Sequence, residues 1–185
     1  DLRHVAKHTR SVRTYSALDG MDKIPELASE FGLTVTAGAW LDADRKKNER
    51  EIKSLLASVS TNPNVTRVIV GNEVLLRGDM KTRQLAGYLR RVRAQLNVPV
   101  GTAEPWHVWL KHPELARDVD FIAVHLLPYW EGIAADDAIA FVSEKLAEVK
   151  KKFPGKPVII GEVGWPSNGR IRRGSVPSLA TEATF

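Results

Sequence analysis

The stretch "RVIVGNEVLLRGD", Arg67–Asp79, runs from branched apolar residues directly into an asparagine and a glutamate. Strands that are continuously apolar rather than alternating are buried on both faces, as in parallel sheets covered by helices. We therefore predict a buried parallel strand over Thr66–Glu73, with Glu73 at its carboxyl end. A carboxylate at the end of a core strand calls for a chemical or structural reason.

Five further segments have the same strand character, and helical patterns alternate with the strands. The strands are predicted at Ser11–Ser16, Leu33–Trp40, Val98–Glu104, Asp120–Leu127 and Pro157–Trp165. Apolar residues spaced by three and four predict amphipathic helices around Ile24–Phe31, Ile52–Val59, Leu85–Leu96 and Ile139–Val149. The link at His112–Asp118 is short and is assigned to neither a helix nor a strand. Strands that alternate with helices indicate an α/β fold with a parallel sheet.

Two α/β architectures compete, the open doubly wound sheet and the closed eight-stranded barrel. No GxGxxG follows any predicted strand, which disfavours a dinucleotide-binding sheet. Polar and aromatic residues recur at strand ends instead: Tyr15, Trp40, Asp42, Asn72, Glu73, Glu104, Trp106, His125, Glu162 and Trp165. In a parallel barrel these ends open on one face, where barrel enzymes place their sites. The pattern favours a (β/α)8 TIM barrel.

Composition limits the possible function classes. The 185 residues, 43% hydrophobic and 26% charged, suit a single domain over 1–185. No apolar run approaches the roughly 18 to 20 residues of a membrane span, and the absence of cysteine excludes disulfides and thiol catalysis. The formal charge is +5, but the basic residues are scattered, so no nucleic-acid partner is predicted. The dense cluster Arg170–Arg173 and the "RGD" at Arg77–Asp79 are interpreted as loops.

Glu73 and Glu162 each close a strand, and two other strands lie between theirs. Members three strands apart lie nearly across the mouth of an eight-stranded barrel, so these glutamates can face each other over a sugar ring. One carboxylic acid can protonate the leaving oxygen while the other carboxylate attacks the anomeric carbon or activates water. The spacing predicts glycoside cleavage and leaves its stereochemical outcome open.

The motifs "VGNE", Val70–Glu73, and "GEVGWPS", Gly161–Ser167, resemble the two signatures of glycoside hydrolase family 17, the retaining β-1,3-glucanase barrels. The resemblance implies Glu73 as acid/base, Glu162 as nucleophile and Asn72 as a hydrogen-bond partner of the sugar 2-hydroxyl. It also implies a covalent intermediate, carboxyl groups about 5 to 5.5 Å apart and β-glucan as the partner, with no cofactor. "GTAEPWHVW" and "HLLPYWEG" are similar to bacterial members, some fused to or associated with membrane glucan synthases.

The chain departs from plant members of that family at two places and from the strand count at both ends. Val163 replaces a small hydroxyl residue after the nucleophile, and Leu127–Tyr129 replaces a Tyr-Pro-Tyr string. In this clan the acid/base closes strand 4 and the nucleophile strand 7, whereas Glu73 and Glu162 close the third and sixth predicted strands. We therefore expect strands 2 to 7 in a barrel truncated at both ends, with strands 1 and 8 outside this chain.

Other residues near the predicted mouth are candidates for contacts with substrate. Glu104 is expected either to hold Glu73 or to contact substrate, the alternative being a structural ion pair. His125 has no acidic residue or histidine at metal-ligand spacing, so no metal site is predicted. Aromatic rings stack on the flat faces of sugars, although they are more often core residues. The remaining candidates for substrate binding are Tyr15, Tyr129, Trp130 and Trp165.

Three functions remain open from the sequence. The leading hypothesis is a glycosidase, a retaining hydrolase or transglycosylase of β-1,3-linked glucan. The substrate class favours a periplasmic or extracellular location, but the chain begins at Asp1 without an initiator Met or signal pattern, so its compartment stays open. The first alternative is a carbohydrate-binding or scaffold fragment without turnover. The second is a phosphosugar-binding barrel, which is disfavoured because "GEVGWPSNG" places a carboxylate where phosphate would bind.

Overall fold

The computed structural model describes all 185 residues and contains one sheet of six parallel strands in sequence order. The strands are β1 (Ser11–Arg13), β2 (Thr34–Ala39), β3 (Val65–Asn72), β4 (Val100–Pro105), β5 (Phe121–Leu126) and β6 (Val158–Val163). The sheet curls into a half-barrel, a partial TIM barrel with helices on its outer face. The α/β class and the six predicted strands are confirmed.

Eight helices accompany these strands, and the long ones follow the apolar spacing of the sequence. They are α1 (Leu2–Val5), α2 (Ile24–Ser29), α3 (Arg45–Thr61), α4 (Thr82–Arg93), α5 (Trp106–Lys111), α6 (Pro128–Glu131), α7 (Ala135–Lys152) and α8 (Leu179–Thr184). The α4 helix buries Leu85, Leu89 and Val92 completely, as their spacing of four and three predicts. No helix is both long and apolar enough to cross a membrane.

Short elements and strand ends differ from the sequence prediction. The link at His112–Asp118 folds into a 3-10 turn at Pro113–Arg117, α5 precedes it and α6 follows β5. These helices span too few residues for a periodic pattern to identify them. The β1 strand ends at Arg13 rather than Ser16, and β3 ends at Asn72 rather than Glu73.

Two apolar layers support the sheet. The larger core lies between the sheet and its helices and includes Val68, Val70 and Leu89. A smaller cluster on the concave face joins Ile69, Ala103, Phe121 and Ala123. The outer strands β1 and β6 each pair on one side only. The carboxyl end of β3 is therefore held within the sheet, whereas that of β6 lies at an edge.

Candidate active site

Three titratable side chains meet at the carboxyl ends of β3, β5 and β6. His125 Nδ1 donates a hydrogen bond to Glu73 Oε1 over 2.7 Å, and His125 Nε2 lies 3.4 Å from Glu162 Oε1. The imidazole is fully buried, while both carboxylates are partly exposed. His125 therefore lies between the two glutamates that the sequence predicted to face each other and is hydrogen-bonded to Glu73.

The metal-ligand spacing missing from the sequence around His125 appears in space. One ligand atom from each of Glu73, His125 and Glu162 lies within 4.8 Å of the others. The sequence interpretation that no acidic residue stands with His125 is therefore corrected, because parallel strands bring residues distant in sequence to one edge. The Nδ1 atom already bonds Glu73, which gives the cluster a reason to form without an ion, and the absence of a metal stays a prediction.

The backbone at Glu73 adopts an unusual conformation. Its φ is +54°, in the left-handed region, which costs a residue with a side chain about 1 to 3 kcal/mol. Gly71, two residues earlier, also has a positive φ, +83°, and a β-carbon there would lie 2.8 Å from Val74. The Glu73 amide donates to Ala103 O over 2.8 Å. These features turn the chain sharply where β3 ends and direct Glu73 to the mouth.

Glycine at 161 makes room for His125. A β-carbon at Gly161 would lie 3.0 Å from the His125 ring, tighter than ordinary van der Waals contact. The glycine of the "GE" motif thus allows the imidazole to lie against β6, next to Glu162.

Arg13, at the end of β1, is a site residue that sequence reasoning missed. Its guanidinium donates to Gly161 O over 2.8 Å and to Asn72 Oδ1 over 2.6 Å, and lies 3.7 Å from Glu162 Oε1. It also stacks over the Tyr15 ring at 4.4 Å. Burial lowers the pKa of Arg13, and the nearby Tyr15, Glu162 and Glu73 oppose that change. An arginine within the predicted β1 strand was the available signal.

The protonation of the site follows from these contacts. The hydrogen bond from His125 lowers the pKa of Glu73 below its usual value, against the opposing effect of burial. Burial raises the pKa of Tyr15, Arg13 opposes this, and Glu162 adds to it. The Glu73 carboxyl is therefore ionised at neutral pH when the cleft is empty.

Glu104 lies behind the site rather than in the cleft. Its fully buried carboxylate accepts hydrogen bonds from the amides of Leu75 at 2.7 Å and Leu76 at 3.2 Å. Burial raises its pKa to about 7. Glu104 forms no ion pair, and the amides that it binds belong to the turn that follows Glu73, so an indirect support of Glu73 stays a prediction.

A cleft of about 570 Å³ opens beside the paired glutamates. Its lining residues are Glu73, Leu76, Pro105, Trp106, His107, His125, Leu127, Trp130, Glu131 and Glu162. Trp130 is 60% exposed, and Arg172 stacks over its ring at 4.3 Å. Trp106 Nε1 donates to Glu131 over 3.3 Å. Sequence reasoning did not single out His107 or Glu131, because their position depends on short helices that have no periodic signal.

Tyr129 and Trp165, two of the predicted substrate contacts, do not line the cleft. The Tyr129 hydroxyl donates to Arg170 O over 2.6 Å, and Trp165 Nε1 donates to Val176 O over 3.2 Å. Both rings are buried and pack against each other at 6.0 Å. The segment after β6 folds over Tyr129 and Trp165, so in this structure the two side chains anchor that segment.

Comparison with known proteins gives one family and a set of relatives. The BtgE/BtgC glycoside hydrolase domain family matches residues 1–185. The chain is 26% identical over 180 residues to "Probable beta-glucosidase btgE" of Aspergillus fumigatus, covering 93% of this chain and 32% of that protein. It is 29% identical over 189 residues to "Glucan 1,3-beta-glucosidase" of Schizosaccharomyces pombe, covering 91% and 59%. The chain thus spans about a third to three fifths of these relatives.

Solved structures include a match over nearly the whole chain. The glycoside hydrolase family 17 β-1,3-glucanosyltransferase of Rhizomucor miehei is 30% identical, with a TM-score of 0.88. The match covers 98% of this chain and 71% of that one. An active-site mutant of that enzyme in complex with laminaritriose matches with a TM-score of 0.89 and 29% identity. The relatives named here are fungal, so the similarity to bacterial members stays a prediction.

Proposed function

The chain belongs to glycoside hydrolase family 17, as a BtgE/BtgC glycoside hydrolase domain, and on this premise we propose that it cleaves or transfers β-1,3-linked glucan. The observation that carries the proposal is the pair Glu73 and Glu162, whose nearest side-chain oxygens lie within 4.8 Å at the edge of a cleft. Retaining glycosidases place their carboxyl groups about 5 to 5.5 Å apart, whereas inverting enzymes need about 6.5 to 9.5 Å. The short separation favours retention.

The proposed reaction has two displacement steps. In the first, the Glu162 carboxylate attacks the anomeric carbon while the Glu73 carboxylic acid protonates the departing glycosidic oxygen. In the second, the Glu73 carboxylate takes a proton from water or from a sugar hydroxyl, whose oxygen attacks the anomeric carbon and releases Glu162. Water gives hydrolysis and a sugar hydroxyl gives transfer.

Neighbouring groups suit these roles. The Arg13 guanidinium lies 3.7 Å from Glu162 Oε1, on the side of the carboxylate proposed as the nucleophile. Arg13 also donates to Asn72 Oδ1, so the amide NH₂ of Asn72 is left as the group that can donate to a sugar hydroxyl. This supports the proposed contact between Asn72 and the 2-hydroxyl.

The acid step requires a protonated Glu73, although the His125 hydrogen bond lowers the pKa of that carboxyl in the free chain. A sugar bound in the cleft excludes water from the partly buried carboxyl, which raises its pKa again. We therefore expect glucan cleavage to be fastest at mildly acidic pH, where more Glu73 is protonated.

Product analysis with laminaritriose tests the proposal. Glucose and the disaccharide alone indicate hydrolysis, whereas products longer than three sugars indicate transfer. Glu162→Gln removes the nucleophile, and we expect turnover to become undetectable. Retention of full activity by Glu162→Gln would contradict the double-displacement mechanism.

The rival candidate is a carbohydrate-binding fragment without turnover. The outer strands β1 and β6 each pair on one side only, and Ile160 of β6 is 41% exposed, so the half-barrel is open beside the site. Binding of laminaritriose by calorimetry without release of reducing ends would support this reading. An association with a membrane glucan synthase and a periplasmic or extracellular location stay predictions from the sequence.

A further inference from the structure

The side chain of Arg77, in the "RGD" segment that was interpreted as a loop, ties together the ends of two strands. Its Nη2 donates to Leu41 O over 2.7 Å, just after β2, and its Nη1 donates to Asn72 O, the last residue of β3. Its Nε donates to Asp79 Oδ2 over 2.7 Å, and its guanidinium stacks on Trp40 at 4.4 Å. One guanidinium thus makes contacts with the segment just after β2, with the last residue of β3 and with its own turn.

The carbonyl of Asn72 is the sensitive contact, because it belongs to the peptide unit that precedes Glu73. The orientation of that peptide unit and the φ of Glu73, +54°, change together. A residue with a side chain remains in this conformation only when its surroundings hold it there. The Arg77 amide also donates to Glu73 O over 2.9 Å, so Arg77 bonds the peptide units on both sides of Glu73.

We propose that Arg77 is a positioning residue that holds the Asn72–Glu73 peptide, and with it the Glu73 carboxyl, in the orientation needed for proton transfer. This inference rests on the proposed function of Glu73. Arg77 does not line the cleft and none of its hydrogen bonds reaches the Glu73 carboxylate. Its charge helps to lower the pKa of that carboxyl, and its contacts with Glu73 run through the backbone. Asn72 is then held twice, through its side chain by Arg13 and through its carbonyl by Arg77.

Lysine cannot reproduce this arrangement. The planar guanidinium reaches two carbonyls and a carboxylate in fixed directions while its face rests on an indole, whereas an ammonium group is a compact point charge. Arg77→Lys therefore keeps the charge near Glu73 and removes the geometry. This separates positioning from simple electrostatics.

The test compares Arg77→Lys and Arg77→Ala with a matched control. Arg91→Lys is the control, because Arg91 also pairs with a carboxylate, Glu49, and stacks on a ring, Tyr88, on the outer surface. For both Arg77 variants we expect kcat on laminaritriose to fall about 100-fold, with KM within about threefold, since small displacements of a catalytic group reduce rate more than binding. Added guanidinium ion should restore part of the kcat of Arg77→Ala, whereas ammonium should not. Arg91→Lys should keep the kcat of the parent chain.

If Arg77 only stabilises the fold and does not orient Glu73, a different outcome is expected. Substitution of Arg77 would then lower the melting temperature and leave kcat unchanged in the folded fraction. A folded Arg77→Lys variant with the parent kcat therefore overturns the proposal. Hydrogen exchange gives a second measurement that does not need turnover: the amides of Glu73, Leu75 and Leu76 should exchange faster in Arg77→Ala. Unchanged exchange would overturn the positioning role. A parent chain that turns over no glucan would instead refute the proposed function, while the exchange result would still decide whether Arg77 holds the turn.

Discussion

The two glutamates stand on parts of the sheet that support them very differently. Glu73 follows β3, an interior strand paired on both sides, and its backbone and carboxylate are both hydrogen-bonded, to Ala103 and His125. Glu162 lies in β6, which pairs only with β5, and its carboxylate lies 3.4 Å from His125 and 3.7 Å from Arg13. The proposed acid/base is therefore held on several sides and the proposed nucleophile on few.

This difference suits the two proposed chemical roles. A proton donor must point at one oxygen, so a fixed direction helps it. A nucleophile has to approach the anomeric carbon and then carry the sugar, which requires some movement. We infer that the interior of the sheet supplies rigidity on the side of Glu73, and that the edge strand leaves Glu162 more freedom.

The largest expected effect comes from Glu73→Gln. General acid–base catalysis contributes about 10²- to 10⁴-fold, so kcat/KM on laminaritriose should fall by that factor. With an aryl glucan whose leaving group needs no protonation, the rate of the first displacement step should fall far less in Glu73→Gln. Added azide should then accelerate release of the sugar from Glu162, because azide needs no general base. Equal losses on both substrates would contradict the role of Glu73 as the acid.

Matched isoleucines compare the stability of the two regions. Ile69 of β3 is fully buried, whereas Ile160 of β6 is 41% exposed. We expect Ile69→Ala to lower the free energy of unfolding by about 2 to 5 kcal/mol, the usual cost of emptying a core site. Ile160→Ala should cost about 1 kcal/mol or less, because part of its surface already meets solvent. Urea unfolding of both variants measures the difference, and equal costs would show that the edge strand is packed as firmly as the interior.

A smaller effect on the interior side depends on pH. Burial raises the pKa of Glu104 from 4.5 to about 7, so between these values the folded chain binds more protons than the unfolded chain. Stability must then fall as pH rises through this window, by up to about 3 kcal/mol through this one group. In Glu104→Gln, the urea midpoint should therefore decline less between pH 4.5 and about 7 than it does in the parent chain. The exposed Glu114→Gln is the control and should follow the parent chain, and a parent-like slope in Glu104→Gln would contradict the raised pKa.

Much of the fold was predictable because it follows from local patterns. The apolar runs and the spacing in helices such as α4 predicted six parallel strands and the long helices. Because parallel strands end at one edge of the sheet, the sequence also predicted that Glu73, His125 and Glu162 lie on the same face. The short helices α5 and α6 carry no periodic pattern, so the sequence placed neither His107 nor Glu131 at the cleft.

The placement of the aromatic side chains could not be predicted from local sequence patterns. Trp130 and Trp165 both follow strands and looked equally suited to stack on sugar, yet Trp130 lines the cleft and Trp165 is buried. The difference arises because the segment after β6 folds back and accepts a hydrogen bond from Trp165 at Val176 O. A contact of this kind depends on the path of a loop, which the identity of the tryptophan does not encode.

The sequence alone determined the α/β class and the order of the strands, and it singled out two glutamates at strand ends as candidates, because hydrophobic pattern and short motifs are local properties of the chain. The tertiary structure alone decided the hydrogen bond between His125 and Glu73, the contacts of Arg13 and Arg77 and the burial of Glu104. Each of these joins residues from different strands or turns. Their distances depend on the curl of the sheet and the left-handed turn at Glu73, which exist only once the strands have assembled.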